Sequence, residues 1–194
     1  MGTRESTRTR LLDATDELLF AGGALHTPVD RILERAGVSP ATLYRAYGSK
    51  EELIAAALDR RHGEWLETWD AAVARASDDR TRLLAVFDAL DQFRSRPDGA
   101  RWCAFLGSAA EYADPPDEIG RAVALDTTTL RDRLRRLAEP VVGDEATALA
   151  EQLLLVVSGD LAMRLRGTGR GSTAGRSIAS ALIRAREGSA PVGR

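Results

Sequence analysis

Apolar residues recur at helical spacing along almost the whole chain, and no segment alternates apolar and polar residues as a half-buried strand would. Short segments rich in glycine, proline and serine separate the apolar stripes, as is typical of helix ends and turns. The pattern predicts an all-α fold of about nine helices.

The first two predicted helices are short and closely spaced. The apolar stripe from Thr7 to Ala21 indicates an amphipathic helix that stops at Gly22-Gly23. A second helix would start with Thr27 as N-cap and Pro28 in the first helical position, and it would end at Gly37.

The next two helices begin at serines. Ser39 is the predicted N-cap of a short third helix that ends at Gly48. Ser49 and Glu52 have the spacing of a capping box, which opens a longer fourth helix.

Past Ala76 the predicted helices are more apolar. The apolar stripes indicate five helices in this part of the chain. The first ends before Pro97, the second stops at Pro115-Pro116, and the third is closed by Pro140. The fourth, from Asp144 to Arg166, is apolar on more than one face, and the fifth extends from Thr173 to about Arg186.

Composition narrows the classes of function. The chain has 194 residues, a formal net charge of -2 and a single cysteine, so an internal disulfide is excluded. Its start lacks the apolar stretch of a secretory signal, and we expect a cytoplasmic protein without a membrane span. Neither His26 nor His62 has a nucleophile or metal ligands at recognisable spacing, so we expect no enzyme activity, cofactor or metal.

The segment from Arg35 to Leu53 carries the clearest functional signal. The tight turn Ala36-Gly37-Val38-Ser39 joins two helices as in a helix-turn-helix, whose second helix enters the DNA major groove. Gly37 permits a positive φ, Val38 fills the corner, and Leu43 anchors the second helix from beneath.

The remaining side chains of that helix suit DNA. Arg45 can pair bidentately with guanine, and Thr42 suits a thymine methyl or a phosphate. The residues suited to phosphate oxygens are Thr27, Tyr44, Tyr47 and Lys50. A core position for Tyr47 is an equal alternative, because this residue lies four positions after Leu43.

Here the chain resembles the TetR family of transcriptional regulators, through T-P-V-D-R-I-L-E-R-A-G-V-S-P-A-T-L-Y-R-A-Y-G-S-K-E-E-L and the amphipathic helix before it. The resemblance implies an all-helical homodimer that binds a double-stranded operator. The family's DNA-contacting positions match Thr27, Ser39, Pro40, Thr42, Tyr44, Arg45, Tyr47 and Lys50.

The resemblance also implies the domain organisation of the chain. We expect a DNA-binding domain over residues 1–48, a connecting helix over 49–76, a ligand-binding and dimerisation domain over 77–187, and a disordered tail over 188–194. The candidate dimer surface consists of Leu149, Leu153, Val157, Leu161, Ile178 and Leu182.

Aromatic residues concentrate in the central part of the chain, where an apolar pocket would suit a medium-sized hydrophobic ligand. The candidate lining is Trp65, Trp69, Phe87, Phe93, Trp102, Phe105 and Tyr112, with Asp126 as a carboxylate for a cationic ligand; core packing is the alternative for each aromatic residue. We expect a repressor that a small molecule releases from a palindromic operator. The alternative is a regulator without such an inducer, controlled by a protein partner or constitutively bound.

Overall fold

The structure is a computed structural model that describes residues 2–21, 27–96, 103–111, 114–167 and 171–187. These residues are mostly helical and include no strand, which confirms the predicted all-α fold. The elements are α1 (Gly2–Thr15), a π-helix (Asp16–Ala21), α2 (Val29–Ala36), α3 (Pro40–Tyr47), α4 (Lys50–Arg75), α5 (Asp79–Arg94), α6 (Ala104–Glu111), α7 (Asp117–Val142), a 3₁₀ turn (Gly143–Glu145), α8 (Ala146–Leu165) and α9 (Thr173–Glu187).

The chain divides into two compact units. The first unit comprises Met1–Gly63 with Arg96–Leu125, and the second comprises Glu64–Ser95 with Asp126–Arg194. Both α4 and α7 contribute residues to each unit. The functional boundaries expected after residues 48 and 76 stay a prediction.

The first unit has its own apolar core, built by α1 to α4 together with α6 and the start of α7. Its fully buried residues include Leu11, Leu19, Ile32, Leu43, Leu53, Leu58 and Ile119. An ionic contact adds to this packing, because Arg60 of α4 pairs with Asp13 at 2.7 Å and also with Asp16. Burial raises the pKa of the Asp16 carboxyl, and the hydrogen bond from Arg60 opposes that shift.

Two details of α1 and α2 correct the prediction. The first helix begins at Gly2 rather than Thr7 and widens into a π-helix at Asp16; the predicted stop at Gly22-Gly23 lies outside the described residues. The Thr15 hydroxyl donates to the Leu11 carbonyl at 2.8 Å, a bond that competes with the backbone ladder where the geometry changes. The N-cap of α2 is Pro28 rather than Thr27 and makes no side-chain capping bond.

Two further differences lie in α4 and α7. The Glu52 N–H donates to the Ser49 hydroxyl at 2.9 Å, which is one half of the expected capping box, while the Ser49 N–H donates to the Tyr47 carbonyl at 2.8 Å. Helix α7 continues through Pro140 to Val142 instead of closing there. The proline ring removes one hydrogen-bond donor from the helix, and the helix ends two residues later at Val142.

The second unit is built around Trp69, Phe87 and the long apolar helix α8. Its fully buried residues include Trp69, Leu83, Phe87, Leu134, Leu149, Leu153 and Val157. Within Asp117–Arg164, one stretch of helix is long and apolar enough to cross a membrane, judged by its length and mean hydropathy alone. Core helices of soluble proteins have the same length and hydropathy, so this finding is weak evidence for a membrane span.

A polar network fixes the start of α9. The Ser172 N–H donates to both oxygens of Asp91 at 3.0 and 3.1 Å, and the Ser172 hydroxyl lies 3.0 Å from Asp160. Arg164 pairs with Asp160 at 3.1 Å and donates to the Ser172 hydroxyl at 2.9 Å. These bonds tie α9 to α5 and α8, because Asp91 lies on α5 and the other two charged residues on α8.

Gly175 allows α9 to approach its neighbours closely. A Cβ atom at this position would lie 2.9 Å from Cε1 of Phe87 and 3.3 Å from Oδ1 of Asp160. Phe87 is buried in the core, and the Asp160 carboxylate is held by Arg164 and Ser172, so neither can move away without breaking existing contacts.

We expect Gly175→Ala to lower the free energy of unfolding by about 1 to 3 kcal/mol, because overpacking outweighs the better helix propensity of alanine. Urea unfolding at fixed protein concentration measures the change. The matched control is Gly63→Ala in α4, where a Cβ meets nothing within 4 Å. The control should leave stability unchanged or raise it by up to about 1 kcal/mol, and equal effects of both substitutions would contradict the packing argument.

Candidate nucleic-acid interface

The turn between α2 and α3 is a Schellman motif centred on Gly37. Gly37 has φ 63° and ψ 43°, and its N–H donates to the Glu34 carbonyl at 3.2 Å. The Val38 N–H donates to the Leu33 carbonyl at 3.1 Å, and Val38 packs against the core that contains Leu33. The left-handed backbone confirms the predicted role of Gly37, and Val38 fills the corner as expected.

Helix α3 starts at the predicted residue. Ser39 is its N-cap in extended conformation, Pro40 follows in the first turn, and the Thr42 N–H donates to the Ser39 carbonyl at 2.9 Å. The hydroxyls of Ser39 and Thr42 lie 2.9 Å apart and share a hydrogen bond. Small polar side chains therefore surround the N-terminal end of α3, where backbone N–H groups lack helical partners.

The two faces of α3 differ sharply. Leu43 is wholly buried and Tyr47 is 6% exposed, so both pack into the core of the first unit. On the opposite side Tyr44 is 54% exposed, and Arg45 is also exposed. Pro40 and Ala41 are exposed as well, and Thr42 and Lys50 are half-buried.

The positively charged residues in and next to α3 differ in whether they form ion pairs. Arg35 at the end of α2 forms an ion pair with Glu17 at 2.5 Å, and that hydrogen bond raises the pKa of the Arg35 guanidinium. Within the described part of the chain, no carboxylate pairs with Arg45 or Lys50. These two side chains keep their charge available for a polyanion.

Two of the residues expected to contact DNA are buried. Thr27 is 5% exposed. The Tyr47 hydroxyl donates to the Arg8 carbonyl at 3.3 Å, and the Arg8 guanidinium lies 4.6 Å from the centre of the Tyr47 ring. The core alternative therefore describes where the Tyr47 ring lies, and a phosphate contact by either residue stays a prediction. Residue spacing does not connect Arg8 with this site, because spacing along the chain does not show which part of α3 faces α1.

The residues of the predicted ligand pocket fall into both units. Trp65, Trp69, Phe87 and Phe93 pack in or against the core of the second unit, and Phe105 belongs to the core of the first. Asp126 is half-buried on α7, while Trp102 and Tyr112 lie outside the described residues.

The predicted dimer residues divide into buried and exposed residues. Leu149, Leu153 and Val157 are at most 1% exposed inside their own subunit, and Leu161 is partly buried. In α9, Ile178 is 53% exposed and Leu182 is half-buried. The burial of Leu149, Leu153 and Val157 leaves these residues almost no surface for contact with a second copy.

Acidic, histidine and cysteine side chains form no metal-binding group within the described ranges. His62 is buried and packs edge-on against Phe105, with ring centres 6.1 Å apart. This packing gives His62 a structural role in the first core.

Comparison with known proteins places this geometry in a family. The family model described as "Bacterial regulatory proteins, tetR family" matches residues 11–57, which include α2, α3 and the turn between them. The HTH-type transcriptional regulator BetI of Brucella canis is 30% identical over 149 residues, covering 68% of this chain and 72% of the relative. BetI of Rhizobium meliloti is 29% identical over 163 residues, covering 82% and 78%.

A solved structure agrees over nearly the whole chain. The TetR-family transcriptional regulator from Streptomyces coelicolor superposes with a TM-score of 0.84 at 27% identity, covering 94% of this chain and 90% of that one. The helix-turn-helix, the match over residues 11–57 and these relatives lead to one conclusion. The chain belongs to the TetR family of bacterial DNA-binding transcriptional regulators.

Proposed function

We propose that this protein is a homodimeric repressor that binds a palindromic operator through α3 and leaves it when a small molecule binds. The observation that carries the proposal is the exposed face of α3, where Arg45 has no acidic partner among the described residues and the opposite face is anchored in the core. Such a face can enter the major groove without rearrangement of the helix.

Each residue of this face suits a different part of the duplex. Arg45 carries two parallel N–H donors that match O6 and N7 of guanine, so we assign it to base recognition. Ser39, Pro40 and Thr42 allow close approach at the start of α3. Tyr44 and, at the start of α4, Lys50 would bind phosphates, which set position but read no sequence.

We expect Arg45→Ala to weaken binding to the operator by about 1 to 3 kcal/mol and to relax the preference at one base position. Lys50→Ala should weaken binding to every duplex and lower the slope of log K against log salt by about 1. Selection of duplexes from a random pool, followed by titrations at several salt concentrations, measures both effects.

Each substitution serves as the control for the other, because both remove one positive charge but only Arg45 is assigned to contact a base. The assignment of Arg45 would be wrong if its variant selected the same base preferences as the wild type.

The proposed dimer surface lies on α8 and α9. Leu155 is 73% exposed and Met163 43% exposed on α8, and Ile178 is 53% exposed on α9. Leu155 and Met163 are eight residues apart and so lie on one side of the helix. Exposed apolar side chains of this size on two contacting helices favour burial against a second copy, and the resemblance to the family implies a four-helix interface of these two helices.

Leu155→Glu and Ile178→Glu should each shift the protein from dimer to monomer, because each subunit would bury an unpaired carboxylate in the interface. Analytical ultracentrifugation at several concentrations measures this shift. Leu125→Glu is the matched control, since Leu125 is an exposed leucine of the first unit at 51% exposure. A wild-type protein that stays monomeric at all concentrations, or selects sites without twofold symmetry, would contradict the dimer.

The aromatic cluster of the second unit supports the ligand part of the proposal. Trp65 lies 5.5 Å from Trp69 and 5.8 Å from Phe93 between ring centres, and the Arg133 guanidinium lies 4.7 Å from the Trp69 ring. The indole N–H of Trp69 is buried and has no acceptor among the described residues. A hydrophobic ligand with a carbonyl or carboxylate group would satisfy this donor.

We expect apolar compounds that carry such a group to raise the melting temperature and to weaken operator binding. Trp69→Phe keeps an aromatic side chain but removes the N–H and part of the indole, so it should lower the melting temperature without ligand. It should also remove the preference for compounds that carry the carbonyl or carboxylate over matched compounds that lack it. A thermal-shift screen followed by operator titration checks this. If no compound in a broad library stabilised the protein, control by a protein partner or constitutive binding would be the better account.

Release requires that the ligand bind two conformations with unequal affinity. Helix α4 is one continuous helix with residues in both units, so it is the element that we assign to coupling between ligand and α3. A regulator of this kind works where the genomic DNA is, and we place it in the cytoplasm.

A further inference from the structure

Three contacts join Arg8 of α1 to the C-terminal end of α3. One guanidinium nitrogen of Arg8 donates to the Ala46 carbonyl at 3.0 Å. The guanidinium carbon lies 4.6 Å from the centre of the Tyr47 ring, within the range of a cation–π contact. In return the Tyr47 hydroxyl donates to the Arg8 carbonyl at 3.3 Å. We call this set of contacts the Arg8–Tyr47 clamp.

The clamp fixes the end of α3 that the turn does not fix. The Schellman turn at Gly37 sets the start of α3, and Leu43 holds its middle in the core. An eight-residue helix is about 12 Å long, so a small rotation about Leu43 would move the N-terminal side chains relative to a base edge. A third fixed point at Ala46 and Tyr47 removes that freedom.

Base recognition and phosphate binding differ in their tolerance of such a rotation. A bidentate pair between arginine and guanine needs two hydrogen bonds in register, whereas an ammonium group can follow a phosphate through several rotamers. A loose α3 would therefore lose discrimination between sequences before it lost general affinity for DNA.

We propose that the Arg8–Tyr47 clamp positions α3, and that Arg8 thereby determines operator discrimination without touching a base. This inference rests on the proposed role of α3 in the major groove. It assigns Tyr47 to the protein interior rather than to a phosphate. It also predicts that an arginine of α1 controls the discrimination between operator sequences although it lies outside α3.

Arginine is required because both halves of its contact depend on a planar guanidinium. The flat group covers the ring while an N–H in its plane reaches the Ala46 carbonyl. Lysine keeps the charge and most of the length, but a single ammonium group cannot make both contacts at once. Arg8→Lys therefore separates the clamp from a simple phosphate contact, for which lysine would serve nearly as well.

The test compares full-length variants on two duplexes. One duplex is recovered by the wild type from a random pool, and the other has the same length and composition in scrambled order. Arg8→Lys should lose about five- to tenfold affinity for the selected duplex and less than about twofold for the scrambled one, with an unchanged salt slope. Tyr47→Phe, which removes only the hydroxyl, should lose discrimination in the same direction and to a smaller extent.

Arg10→Lys is the matched control, because Arg10 lies on the same helix and its guanidinium donates to the Thr7 hydroxyl of α1 itself at 3.5 Å. This variant should keep the ratio of the two affinities. Equal weakening of both duplexes by Tyr47→Phe would overturn the proposal and indicate that the Tyr47 hydroxyl binds a phosphate. An unchanged ratio in Arg8→Lys would overturn it as well.

A second arm does not involve DNA, so a failure of the clamp can be told from a failure of the proposed function. Urea midpoints are measured for Arg8→Lys, Tyr47→Leu and the double variant. The double variant should shift the midpoint by less than the sum of the single shifts, because both single substitutions remove the contact between the Arg8 guanidinium and the Tyr47 ring. Additive shifts would show that the two side chains do not act together, whatever DNA the protein binds.

Discussion

The position of the recognition surface depends on the burial of Leu43. Because an α-helix turns once in 3.6 residues, a shift of the buried position by one residue would rotate every side chain of α3 by about 100°. With Leu43 in the core, Tyr44 and Arg45 lie on the outside. The hydrophobic contact itself carries no information about DNA, yet it decides which side chains can reach a groove.

In each unit, hydrogen bonds and ion pairs fix the rotation and register of helices, which apolar packing alone does not fix. In the first unit, Arg60 joins α4 to Asp13 and Asp16, and the Arg8–Tyr47 clamp joins α1 to α3. In the second unit, Asp91 and Asp160 hold Ser172 at the start of α9. Apolar contacts are not directional, so these polar contacts define the rotation and register of helices that the cores alone would leave loosely specified.

The parts of the site that follow from local chemistry were predictable. Glycine is the residue that most readily adopts a positive φ, so Gly37 marked the turn, and Ser39 with Pro40 marked the start of α3. Details in which several local options compete were not predictable. The change to a π-helix at Asp16, the N-cap at Pro28 and the passage of α7 through Pro140 depend on small differences between such options.

The sequence by itself determined the helices, the turn and the residues that share each helix face, because these follow from spacing along one chain. Only the tertiary structure decided which of those faces is covered. It buries Leu149 and Val157 in the core of the second unit while Leu155 stays exposed, and it turns the Tyr47 ring inward beneath Arg8. The physical reason is that periodicity relates residues within a helix, whereas burial depends on which other helix packs against it.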